Sequence, residues 1–138
     1  MIKRILIAFD GSGHSQKAFD QALDLAGRYA AELYVLTVAP IPEVPSDVET
    51  EALIESARNH HSALLDALKE KTERAGVTAH FEVSVGHVAR QIIDHAAIHQ
   101  VDLIVLGHRG RGMLDRWLLG SVSSRVISYA DCAVLVVR

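Results

Sequence analysis

Apolar runs of strand length alternate with longer segments of helical period along the chain. Ile5-Leu6-Ile7-Ala8-Phe9 is the first run, and its lack of alternation predicts a strand covered on both faces. It stops at Asp10-Gly11-Ser12-Gly13, a turn cluster that also offers helix N-caps. Ala18, Ala22, Leu25 and Tyr29, with Phe19, Leu23 and Ala26 beside them, then trace one apolar helix stripe. Residues 33–38 form the second strand pattern, and the proline-bearing stretch 39–46 reads as a long loop. A long polar helix is expected from about Asp47 to Ala75, with Leu53, Ala57, Leu64 and Leu68 facing inward and Gly76 as its stop. Its charged residues, Glu49, Glu51, Glu55, Lys69, Glu70, Lys71, Glu73 and Arg74, read as a solvated face. Residues 78–85 alternate, with His80, Glu82 and Ser84 pointing outward, which predicts a half-exposed edge strand. Val88, Ile92, Ile93 and Ala96 mark a third helix, and residues 102–106 a fourth strand that runs into a glycine loop at Gly107. Val122, Val126 and Ala130 mark the fourth helix, and Ala133-Val134-Leu135-Val136-Val137 the last strand.

The order βαβαβαβαβ predicts an α/β fold, a single doubly wound domain with a parallel sheet and helices on both faces. Ligands in such sheets sit outside the carboxyl ends of the strands, where the winding reverses. Two turns carry suitable chemistry for that place, the one at residues 10–13 and the one at residues 107–121. If strands 1 and 4 are neighbours, both turns open onto one crevice.

Composition narrows the class. The 138 residues are 49% hydrophobic and 22% charged, enough for one domain, 1–138, with a real core. Fourteen Lys+Arg against seventeen Asp+Glu leave a net charge of −3. That balance, with only three Phe, three Tyr and one Trp, argues against nucleic acid as a partner. No apolar run approaches the roughly 18 residues of a membrane span. The chain opens on a strand pattern without a cleavable signal and has one cysteine, Cys132, so a cytoplasmic location is expected.

Gly107-His108-Arg109-Gly110-Arg111-Gly112, followed after seven residues by Gly120-Ser121-Val122, is the strongest chemical signal. Glycines let the backbone approach a ligand closely, and successive bare N–H groups form an anion nest. Gly120, Ser121 and Val122 fall where the fourth helix should begin, so the helix dipole also favours an anion. Arg109, Arg111 and Arg116 reverse the charge locally in an acidic chain. A phosphate ligand accounts for both the glycines and the cations.

The spacing Gly107-x2-Gly110-x9-Gly120-Ser121 resembles the nucleotide-binding signature of the universal stress protein family. The resemblance extends through Ser123, Ser124, Arg125 and Val126 to the segment 132–137, and at the other end to residues 5–12. It therefore covers essentially the whole chain. It implies a five-stranded parallel sheet in the order 3-2-1-4-5 that binds ATP, or else ADP or AMP, at its carboxyl edge. Asp10, with Ala8 and Phe9, matches the positions beside the adenosine, where a carboxylate can accept from ribose hydroxyls. Val38 matches the position whose main chain meets adenine. Gly107, Arg109, Gly110, Gly120, Ser121, Val122 and Ser123 match the phosphate cradle. Mg2+ would be held mainly by the phosphates. Two positions depart from the family's pattern: Ala133 stands where a proline often precedes the last strand, and His87 where a proline often opens the third helix.

Other sites compete poorly. Gln16 stands where a dinucleotide fingerprint needs its third glycine, and Val38-Ala39-Pro40 replaces the acid expected at the end of strand 2. No P-loop run exists. His95 and His99 share a helix face at i, i+4 but lack a Glu-x-x-His partner, so they read as solvated surface, as do His60 and His61. His108 either meets a phosphate or points to water. Cys132 reads as an inert core thiol. The expected function is that of a nucleotide-dependent stress-response regulator with an unknown protein partner, not of a dedicated enzyme. Slow hydrolysis or autophosphorylation is compatible with that reading. The rivals are a nucleotidyl-transfer or flavin-type enzyme on a related fold, and a dimeric interaction module with a vestigial site. The apolar last strand, Ala133 to Val137, would be a sheet edge in the order 3-2-1-4-5, and so predicts a homodimer.

Overall fold

In a computed structural model, residues 1–39, 47–108 and 120–138 are described. Five strands, β1 (Arg4–Ala8), β2 (Glu32–Ala39), β3 (Ala79–Val85), β4 (Leu103–Gly107) and β5 (Ala133–Val137), form one sheet in the order β3-β2-β1-β4-β5. Every pairing is parallel. Between them run α1 (Gly13–Tyr29), α2 (Asp47–Arg74), α3 (Val88–Ile98) and α4 (Ser121–Tyr129).

The central strands explain why their sequences do not alternate. Ile5, Ile7 and Phe9, with Leu33, Val35, Leu103 and Val105, face one core, built with Ala18, Phe19, Ala22 and Ala26 of α1 and Leu65 and Leu68 of α2. Leu6, Leu36, Ile104 and Leu106 face the other, built with Ala89, Ile92 and Ala96 of α3 and Val126 of α4. Both faces are buried, so apolar residues fill both parities, and Thr37 of β2 is a buried polar exception.

The helix limits follow from local chemistry. Ser12 caps α1, its hydroxyl accepting the N–H of Ser15 at 3.2 Å. Beyond α2, Gly76 takes φ +67°, a left-handed conformation that suits glycine, and the N–H of Val77 returns to the Thr72 carbonyl at 3.0 Å.

Three expectations change. Tyr29, assigned to the α1 stripe, is half exposed in the last turn of the helix. The outward alternation of β3 holds at His80 and Glu82 but fails at Ser84, whose hydroxyl is enclosed without a hydrogen-bond partner among the described residues. The inward face of α2 runs through Leu65 as well as Leu68, with Leu64 half buried. The side chains of Glu49, Leu53, Ala57 and His61, and residues 40–46 of the expected loop, lie outside the described residues.

Candidate functional site

β1 and β4 lie side by side, with Ile5, Leu6 and Ile7 opposite Leu103, Ile104 and Val105. The chain leaves β1 through α1 towards β2, and leaves β4 through α4 towards β5 on the other side. The winding reverses between them, and the first turn and the described ends of the second, Gly107, His108 and Gly120, lie at that carboxyl edge.

The first turn is held by its own polar groups. Ala8 is half buried, and Phe9 is buried with its ring edge-on to Phe19 and its N–H donating to the Leu36 carbonyl at 2.9 Å. Asp10 Oδ1 accepts the N–H of Ser12 at 2.9 Å, and Gly11 turns the chain at φ +82°. Ser15 closes the network from inside α1, donating its hydroxyl to the Ser12 carbonyl at 2.9 Å. Ser12, not Asp10, is the cap; the carboxylate fixes the turn that presents it. β2 continues past Leu36, the partner of Ala8, to Ala39. Its extra residues bring the half-buried Val38 to the same edge as Asp10.

The second turn starts at Gly107, whose missing side chain has a packing reason. A Cβ there would lie 2.8 Å from the carbonyl carbon of His14, in the first turn of α1. The Gly107 carbonyl accepts from the Ser123 hydroxyl at 3.1 Å. His108 donates its N–H to the Val137 carbonyl at 2.7 Å and accepts from the N–H of Gly120 at 3.2 Å. These bonds seat the start of α4 directly against the end of β4. They also change the expected nest, because the Gly120 N–H is already engaged. The anion-facing donors that α4 can offer are those of its first turn, Ser121, Val122 and Ser123. Gly120 supplies no side-chain cap to that turn. Ser121 is exposed, Val122 half buried and Ser123 buried. Arg109, Gly110, Arg111 and Arg116 lie outside the described residues.

Two histidines join this place. His108 is buried, so its side chain is not turned to water. His14 was not among the expected site residues; its ring centroid stands 6.2 Å from that of His108. Its Nδ1 is enclosed and has no hydrogen-bond partner among the described residues, which leaves a polar atom for a ligand to satisfy. The sequence signal for His14 is only its position after the turn glycines; the contact with Gly107 spans most of the chain. Cys132 is half buried, and burial pushes its thiol above the usual range, with the carboxylates of Asp102 and Asp131 adding to the effect. An inert thiol is the chemistry expected of that setting.

The sequence model of the universal stress protein family matches residues 1–138. A universal stress protein of Bacillus subtilis is 37% identical over 148 residues, covering 100% of both chains. One from Methanocaldococcus jannaschii is 37% identical over 141 residues, covering 100% of this chain and 83% of the relative. Among solved structures, a universal stress protein of Lactobacillus plantarum superposes with a TM-score of 0.86 at 30% identity, over 99% of this chain and 98% of that one. More distant structures share the fold alone: a universal stress protein in complex with cAMP (TM-score 0.77, 24% identity, 99% and 97% covered) and one from Arabidopsis thaliana with AMP bound (TM-score 0.69, 18% identity, 98% and 90% covered). Sequence, strand order and superposition agree: the chain belongs to the universal stress protein family.

Proposed function

We propose that the chain binds ATP at the carboxyl edge between β1 and β4 and acts as a regulator rather than as a dedicated catalyst. The observation that carries this is the adjacency of the Asp10 turn and the start of α4, more than a hundred residues apart in sequence. A carboxylate at the same sheet edge as the first-turn N–H groups of a helix matches the two ends of a nucleotide: ribose hydroxyls to donate, phosphate oxygens to accept. The nucleotide-bound relatives of the same fold support an adenine nucleotide.

In this reading Asp10 accepts from the ribose, flanked by Ala8 and Phe9, and the main chain of Val38 meets adenine. The phosphates lie over the N–H groups of Ser121, Val122 and Ser123. Gly107 and Gly120 shape the floor, and Arg109 and Gly110 contribute from the glycine loop. Mg2+ would be held mainly by the phosphates. The enclosed Nδ1 of His14 fits a polar ligand group. The regulator works in the cytoplasm through a protein partner that senses nucleotide occupancy.

A homodimer through β5 belongs to the same proposal. The strand pairs with β4, and its Val134, Leu135, Val136 and Val137 are half buried. An antiparallel partner strand would satisfy its outer N–H and C=O groups and cover those side chains.

The test is to denature the purified protein and chromatograph what it releases, then titrate the emptied protein with ATP, ADP, AMP and cAMP by calorimetry. Co-purified adenine nucleotide, or micromolar affinity for ATP, is the expected result. No affinity for any of the four overturns the nucleotide reading, and a flavin in the extract would favour an enzyme.

A further inference from the structure

A second cluster lies on the other side of the sheet edge, where β3 meets α3. His95 and His99 are not the solvated pair their helix spacing implies: their side chains are 14% and 28% exposed. The strand supplies what the helix lacks. Glu82 Oε2 stands 2.9 Å from His95 Nδ1 and 3.5 Å from His99 Nε2, and the three ligand atoms all lie within 4.8 Å of one another. We propose that Glu82, His95 and His99 bind a divalent transition-metal ion of the zinc class.

The spacing fits such an ion. Two ligand atoms each about 2.0–2.1 Å from a tetrahedral centre stand about 3.3 Å apart, and the two observed separations from Glu82 bracket that value. His95 Nδ1 is enclosed and makes no hydrogen bond among the described residues, so its close approach to Glu82 lacks the alignment of a proton shared between the two. A cation between them satisfies both atoms. The donor set also chooses the class. Two imidazoles and one carboxylate suit zinc, cobalt or nickel, whereas magnesium and calcium prefer oxygen ligands throughout.

The surroundings hold the ligands in place. The Tyr34 ring stacks on His99 at 4.3 Å between centroids and on His80 at 4.8 Å. The Tyr34 hydroxyl donates to Glu32 Oε2 at 3.1 Å, and His80 Nε2 lies 3.2 Å from the same oxygen. His80 is thus paired with Glu32, while the stacked Tyr34 ring steadies the plane of His99. Three protein ligands leave a fourth position for water.

The bound ion would tie the middle of β3 to the end of α3. Glu82 pairs with Leu36 inside the strand, and His99 follows the last turn of α3. Both lie away from the carboxyl edge, so the site does not depend on the nucleotide reading, and its test uses no nucleotide. Binding to the folded chain alone would raise its melting temperature.

The experiment is a calorimetric titration of tag-free protein with ZnCl2, paired with the visible spectrum of the Co2+-loaded protein. One Zn2+ per chain is expected, with a Co2+ ligand-field band typical of four-coordination and no competition from millimolar Mg2+. Glu82→Gln and His99→Gln, both at positions partly open to solvent, should each weaken Zn2+ at least about 100-fold, the upper range for losing even an outer-sphere partner. His60→Gln, on the exposed face of α2, should leave binding unchanged. Circular dichroism checks that each variant is folded. Absence of stoichiometric Zn2+ binding to the wild-type chain overturns the proposal. So does binding that survives unaltered in the folded Glu82 and His99 variants, since the ion would then sit on other histidines.

Discussion

Gly107 and His14 touch backbone to side-chain position: a Cβ added at Gly107 would stand 2.8 Å from the His14 carbonyl carbon and 2.9 Å from its Cβ. The end of β4 and the first turn of α1 are therefore closed against each other, and the obstacle to a side chain is backbone. Gly107→Ala should cost about 1–3 kcal/mol, the usual range for overpacking. Chemical denaturation measures it, and an unchanged midpoint would show that the two segments move apart freely.

Gly120→Asp should separate binding from stability. Gly120 has φ −63° and ψ 155°, extended backbone open to any residue, and it occupies the N-cap of α4. Aspartate is a favoured cap, which offsets the cost of a carboxylate where Gly120 is buried, so the melting temperature should stay near that of wild type. The same carboxylate would take the N–H groups that a phosphate needs and repel its charge, weakening ATP by several kcal/mol. Calorimetry on the folded variant decides; affinity within threefold of wild type would remove the phosphates from the start of α4.

Asp10→Ala should weaken ATP by about 1.5–3 kcal/mol, the range for hydrogen bonds to a charged group. ATP and 2′,3′-dideoxy-ATP should then become nearly equal ligands. The variant also loses the bond from Ser12 N–H to Asp10 Oδ1, so a modest drop in stability should accompany the change. If the variant still prefers ATP by the wild-type factor, Asp10 serves the turn alone.

Asp102 sets an acid limit on stability. Its Oδ2 accepts the N–H groups of Lys3 at 2.8 Å and Arg4 at 2.9 Å, and these bonds hold its carboxyl below the usual carboxylate range. The stabilisation is present above the unfolded-state value near pH 4 and is lost as pH falls through the lower folded value. Asp102→Asn should therefore be less stable than wild type at neutral pH, by about 1 kcal/mol for a partly exposed group. The gap should close as the pH drops below about 4. A constant gap across denaturation curves from neutral to acid pH would show that the charge of Asp102 contributes nothing.

The β5 dimer predicts a particle of twice the 15.0 kDa chain in light scattering at micromolar concentration. Val136→Lys should split it by placing an unpaired charge in the new interface. A wild-type monomer would refute the pairing, and an intact dimer in the folded variant would move the interface elsewhere.

The element order, the two-faced burial of β1 and the stop of α2 at Gly76 were all legible along the chain. They follow from local periodicity and turn chemistry, which act within a few residues. The turn at Asp10 and the glycine that ends β4 were legible for the same reason. Only the folded chain decided what these segments meet. The neighbouring of β1 and β4 was implied only by the family resemblance, while the seat of α4 on His108 and Gly107 and the contact of Gly107 with His14 join residues far apart in sequence, where no period records them. The Ser84 hydroxyl became enclosed although its strand alternates, because alternation describes the strand and not what packs on it. His95 and His99 show the same division most clearly. Their helix spacing put both on one face, but the carboxylate beside them comes from Glu82 in another element, and side-chain chemistry at a site depends on distance in space rather than on separation along the chain.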